Sequence, residues 1–186
     1  MLLAGNLVPL VGALVFRWSV YPLVLLYWIE NIVVGCFTVL RFLFARGEET
    51  VGLGTRVFFV VFFIVHYGGF AAGHGLFVWV LFRTPGGAET AGPEFRLAVA
   101  ALVLSHGFSF VWNYLMGGER RRVKLADLML QPYKRVVVLH VAIIFGGMLV
   151  MALGAPMAGL VALVLVKAGM DWRAHQREHD WWRVDA

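Results

Sequence analysis

Only one cysteine, Cys36, occurs in the 186 residues. That excludes an internal disulfide and any cysteine-rich metal cage, and inside an apolar run Cys36 reads as a small buried hydrophobe. Charge is scarce as well: Asp, Glu, Lys and Arg make up 15% of the chain, where a soluble domain carries roughly a quarter. With 61% hydrophobic residues and a mean hydropathy of +0.80, a chain this short has too little interior to hide its apolar surface from water. An ordinary soluble fold is excluded, and lipid is the matching solvent. The first sixteen residues, Met1 to Phe16, lack the basic start and the small-residue cleavage site of a signal peptide. They read as a retained first span. Solenoid-type repeats and low-complexity tracts are also absent from the sequence.

What is present fits a bilayer. Fifteen phenylalanines and seven tryptophans suit a lipid-facing surface with aromatic anchors near the headgroups. The net charge of +5 would suit nucleic acid, but the positive residues cluster between apolar runs, as the positive-inside rule expects. No nucleic-acid partner is expected. A membrane span needs about 20 apolar residues. Val57 to Phe82 and Leu97 to Gly118 contain no Asp, Glu, Lys or Arg, and Trp18 to Leu40 is interrupted only by Glu30. Val136 to Val166 is too long for one ordinary span and carries Gly154-Ala155-Pro156 near its middle. A proline there kinks one helix or makes a turn between two short ones.

Charge placement chooses between five spans and six. With six, thirteen Lys and Arg fall on one side and three on the other; with five the split is nine to seven. Orientation normally follows a strong asymmetry. The expected fold is therefore an all-α integral membrane bundle of about six segments over residues 1–170, the first and the last two short. Both termini lie in the cytoplasm, and residues 171–186 form a cytoplasmic amphipathic tail with Trp172, Trp181 and Trp182 along the headgroups. The setting is a multi-pass protein of the inner (plasma) membrane. Arg120, Arg121, Arg122 and Lys124, with the proline-started Gln131-Pro132-Tyr133-Lys134-Arg135, form a cytoplasmic basic patch facing anionic lipid headgroups. Six short spans leave little room for a central cavity, which makes a homo-oligomer a natural arrangement.

Ionisable groups within a bilayer are costly, so each needs a partner and is a functional candidate. Here they are Glu30, His66, His74, His106, His140 and Lys167. With cytoplasmic ends near Phe44, Arg56, Gly117 and Arg135, Glu30, His66 and His106 fall at similar depth, ~15–20 Å in at ~1.5 Å per residue. His140 and Lys167 lie shallower, about five residues in. Two imidazoles and a carboxylate meeting at one point can bind zinc, iron or another divalent ion, with His140 nearby. Alternatively, His66 and His106 could ligate haem iron axially, with Gly68, Gly69 and Gly107 leaving room for a flat ring. Two further readings stay open: a structural hydrogen-bonding network that fixes helix packing in a scaffold or assembly subunit, and a proton, ion or small-solute transport path. His74, about 80° and ~12 Å from His66 on an ideal helix, reads as a packing residue or a second, outer site.

Two weaker patterns complete the candidates. Ser109 and Asn113 lie on the helical face of His106, as an intramembrane serine hydrolase would require, but no oxyanion hole is identifiable. Lys167, Asp171, His175 and His179 recur every four residues. That stripe is explained by Lys-to-Asp pairing, or as a proton or metal entry path towards His140.

The ordered set Asn6-Leu7-Val8-Pro9, Leu26-Tyr27-Trp28-Ile29-Glu30-Asn31, His66-Tyr67-Gly68, His74-Gly75 and Ser105-His106-Gly107 continues with Pro132-Tyr133, Arg135, Leu139-His140 and Gly146-Gly147. It resembles a family of prokaryotic multi-pass membrane proteins known only as a domain of unknown function. The resemblance covers Asn6 to about Glu178. It implies an integral membrane fold and carries no activity, substrate or ligand.

Overall fold

The computed structural model describes residues 20–47, 52–82, 92–133, 136–137 and 140–141. The expected first span, the turn at Gly154-Pro156, the tail from Asp171 and the Lys167–His179 stripe lie outside the described residues. Within them the chain is all helical. Helix α1 runs Val20–Phe44, α2 Leu53–Phe82 and α3 Pro93–Ser109, which continues as a π-helical turn over Phe110–Met116. A fourth helix, α4, covers 125–133, with 136–137 and 140–141 also helical. Three stretches, Tyr21–Phe44, Leu53–Val80 and Pro93–Met116, are long and apolar enough to cross a membrane.

Two polar side chains of α1 donate to carbonyls one turn back along the helix. Asn31 Nδ2 donates to the Tyr27 carbonyl at 2.8 Å, and Thr38 Oγ1 donates to that of Val34 at 2.8 Å. The last carbonyls of a helix have no partner within it. Here Arg56, from the start of α2, donates to the Leu43 and Ala45 carbonyls at 2.6 and 2.9 Å. Tyr114 Oη donates to the Arg41 carbonyl at 2.7 Å.

Helix α1 is the inner element: 44% of its apolar window is buried, against 22% for those of α2 and α3. It packs antiparallel to α2, where small residues allow close approach. A Cβ on Gly35 would meet the Tyr67 ring at 2.6 Å, and one on Gly75 would meet the Trp28 indole at 2.7 Å. Two hydrogen bonds lock this contact, Trp28 Nε1 to the Ala71 carbonyl at 2.7 Å and Tyr67 Oη to the Asn31 carbonyl at 2.9 Å. On its other side α1 meets α3. Leu23, Leu26 and Tyr27 pack with Phe95, Ala98 and Leu102, and Phe42 shares a second cluster with Phe63, Tyr67, Phe110 and Tyr114. The outer faces of α2 and α3 expose Phe58, Val65, Phe77, Leu104, Phe108 and Trp112. Contiguous apolar surface of this extent is foreign to a soluble monomer.

Two expectations need correction. Cys36 is exposed; a small residue in an apolar run sits as comfortably on an apolar exterior as in a core. The fourth helix starts at Leu125, about ten residues before the expected boundary near Arg135, so Gln131-Pro132-Tyr133 is helix interior. The physical reason is a stripe of apolar residues at helical spacing, Leu125, Leu128, Pro132 and Val136, all buried. Lys124, Asp127 and Gln131, exposed on the opposite side, made the segment look like a loop.

Candidate functional site

The polar groups of α2 and α4 meet in two rungs. His66 Nδ1 lies 2.6 Å from Tyr133 Oη, and His74 Nε2 lies 2.7 Å from His140 Nδ1. The spacings fit the match: 66 and 74 are eight residues apart on α2, about two helical turns, and Tyr133 and His140, seven residues apart, each lie in a helical stretch. Two helices can carry rungs in this order only if they run parallel. Tyr133 also packs edge-on to Phe63 and Tyr67, with centroids at 6.4 and 5.8 Å. His66 stacks on Phe62 at 5.4 Å, 10° from coplanar.

The upper rung has a defined hydrogen pattern. His74 Nδ1 is 2.8 Å from the Phe70 carbonyl, and a carbonyl oxygen can only accept. His74 Nδ1 therefore carries the hydrogen, and in the neutral ring Nε2 presents a lone pair. His140 Nδ1–H donates to that lone pair, which leaves its own Nε2 as an acceptor. His74 is buried and its ring contacts Phe70 at a centroid distance of 4.9 Å; His140 is exposed.

The other residues singled out from the sequence occupy separate surroundings. His106 Nδ1–H donates to the Leu102 carbonyl at 3.0 Å, and its ring stacks on Phe37 at 6.4 Å. Phe37 lies seven residues along α1 from Glu30, a rise of ~10 Å. Glu30 itself is half-buried. Among the described residues no three His, Cys, Asp or Glu side chains form a group that could hold a metal ion, so Glu30, His66 and His106 do not make one centre there. A Cβ on Gly68 or Gly69 would meet nothing within 4 Å, whereas one on Gly107 would touch Phe37 at 3.5 Å. Ser109 Oγ accepts from Asn113 Nδ2 at 3.1 Å, a contact that needs no histidine.

Tyr133 thus lies in the contact between helices rather than in a basic anchor, and the 2.7 Å contact puts His140 level with His74 rather than at a shallower depth.

Compared with known families, residues 1–185 match a family described as a family of unknown function (DUF6498), and the chain belongs to it. No curated protein and no solved structure matches the chain.

Proposed function

We propose, for this member of that family, an inner-membrane protein of six spans with both termini cytoplasmic, which binds a divalent metal ion, zinc or iron(II), between His74 and His140. The observation that carries the reading is the pair of imidazole nitrogens at 2.7 Å on two helices, with the remaining nitrogen of His74 held by the Phe70 carbonyl. A backbone carbonyl that accepts from the other ring nitrogen fixes tautomer and ring direction in metal-binding histidines. Two nitrogens bound to one zinc ion at 2.0–2.1 Å in a tetrahedral array sit about 3.3 Å apart. Admitting the ion therefore requires a parting of the rings by roughly 0.6 Å and a tautomer shift that moves the His140 proton from Nδ1 to Nε2, with no net release of acid. Water or a solute would fill the remaining positions. A single ion is favoured over haem because His74 and His140 meet directly, whereas the His66 ring packs against Tyr133 and the His106 ring against Phe37, in separate contacts.

The six-span orientation is supported by the rim where α1 ends and α2 begins. The described cations Arg41, Arg46, Arg56, Arg120, Arg121, Arg122 and Lys124 gather there, while the start of α3 at the far end offers Glu94 and Arg96. A purely structural clasp is the second reading, favoured by a nitrogen separation already at hydrogen-bonding distance. Elemental analysis and a cobalt(II) absorption spectrum of detergent-purified protein separate the two. Stoichiometric metal, lost in His74→Ala and His140→Ala but kept in His106→Ala, supports binding. Metal-free, fully folded wild type after loading with zinc refutes it.

A further inference from the structure

We infer that residues 45–47, just after α1, and the linker from α3 to α4 jointly form a binding surface for anionic lipid headgroups, with Arg46, Arg120, Arg121, Arg122 and Lys124 as its cations. The surface lies at the other end of the bundle from the histidine pair and is independent of it. Two backbone contacts make one platform of the two segments. Arg46 N–H donates to the Arg120 carbonyl at 2.6 Å, and Gly47 lies so close to the Val123 carbonyl that a Cβ there would sit 2.6 Å from it. Gly118, at φ 79°, supplies the left-handed turn that leads into the short 3-10 segment Glu119–Arg121.

The cations of this rim divide into two sets. Arg56 is spent on the carbonyls of Leu43 and Ala45; Arg41 lies over the Tyr114 ring at 5.4 Å and reaches Gln131 Oε1 at 3.5 Å. The side chains of Arg46, Arg121, Arg122 and Lys124 are exposed and make no hydrogen bond among the described residues. The buried Arg120 Nε has no hydrogen-bond acceptor among them. Only Glu119 and Asp127 oppose this charge within the described part of the rim. Large apolar residues, Leu43, Phe44, Leu53 and Met116, are exposed at the same level. Cations interleaved with exposed apolar side chains at the ends of membrane-length helices match the headgroup layer, where phosphate meets acyl chain. A soluble anionic partner would have no use for the apolar half of this surface.

The test uses the full chain in nanodiscs of phosphatidylcholine alone, of phosphatidylcholine with phosphatidylglycerol, and of phosphatidylcholine with added inorganic phosphate. Readouts are the melting temperature by tryptophan fluorescence and retained lipid by native mass spectrometry. The expected result is a higher melting temperature and several-fold preferential retention of phosphatidylglycerol, both weakened in 1 M salt as charge screening requires. Arg121→Gln/Arg122→Gln/Lys124→Gln should abolish the preference, Arg121→Lys/Arg122→Lys should keep it, and Arg96→Gln at the far end should leave it unchanged. Equal behaviour in the two lipid mixtures, an unchanged preference in the triple variant, or reproduction of the effect by inorganic phosphate would overturn the assignment.

Discussion

His74 and His140, 66 positions apart in sequence, face each other at 2.7 Å between parallel helices. The bond joins a buried imidazole to an exposed one. Replacing His74 by Ala leaves the His140 Nδ1–H without its acceptor and frees the Phe70 carbonyl. A double-mutant cycle over His74→Ala and His140→Ala should give a coupling of about 0.6 kcal/mol, the average for hydrogen bonds between membrane helices, and at most about 1.7 kcal/mol. Unfolding in mixed micelles without added metal is the measurement, and additive single effects would contradict the pairing.

The lower rung can be removed with little change of shape. Tyr133→Phe keeps the ring against Phe63 and Tyr67 and deletes only the hydroxyl that bonds His66. The expected loss of stability is about 1 kcal/mol. Unfolding of the variant should show it, with no further loss when His66→Phe is added.

Close packing of α1 on α2 gives a contrast within one helix. A methyl group at Gly75 would collide with the Trp28 ring, whereas one at Gly68 meets nothing within 4 Å. Gly75→Ala should destabilise by about 1–3 kcal/mol through overpacking and shift Trp28 emission as its bond to the Ala71 carbonyl breaks. Gly68→Ala should be neutral or slightly stabilising, because alanine favours helix over glycine by up to ~1 kcal/mol.

Arg56 closes the end of α1 by donating to the carbonyls of Leu43, in its last turn, and of Ala45, just beyond it. Arg56→Gln should cost about 1.5–3 kcal/mol, the range for charge-assisted bonds. Arg96→Gln, whose exposed side chain lies at the opposite end, should cost little. Equal losses would show that net charge rather than capping matters.

Much of the architecture was readable from charge spacing alone. The charge-free runs at 57–82 and 97–118 anticipated the apolar spans Leu53–Val80 and Pro93–Met116. Phe44, Arg56 and Gly117 were set at one level, and the bonds linking Arg56 to Leu43 and Tyr114 to Arg41 join the helices near those residues. The site was less readable, because counting residues yields depth but not azimuth. Equal depth suggested Glu30, His66 and His106, whereas side-chain direction paired His66 with Tyr133 and left His106 on Phe37. Asp127 and Lys124 hid the start of α4, although Leu125, Leu128, Pro132 and Val136 already carried the helical period. The π-helical turn at Phe110–Met116, which accompanies the docking of Tyr114 under Arg41, has no marker in composition.

Zinc titration of the reconstituted protein, followed by calorimetry in the wild type and in His74→Gln, His140→Gln and the double variant, probes the shared-ion claim most directly. Ligands of one ion act as a unit, so each single variant should lose nearly as much affinity as the double one, while His66→Gln retains wild-type binding. Undiminished zinc affinity in the double variant, or an equal loss in His66→Gln, would contradict the account.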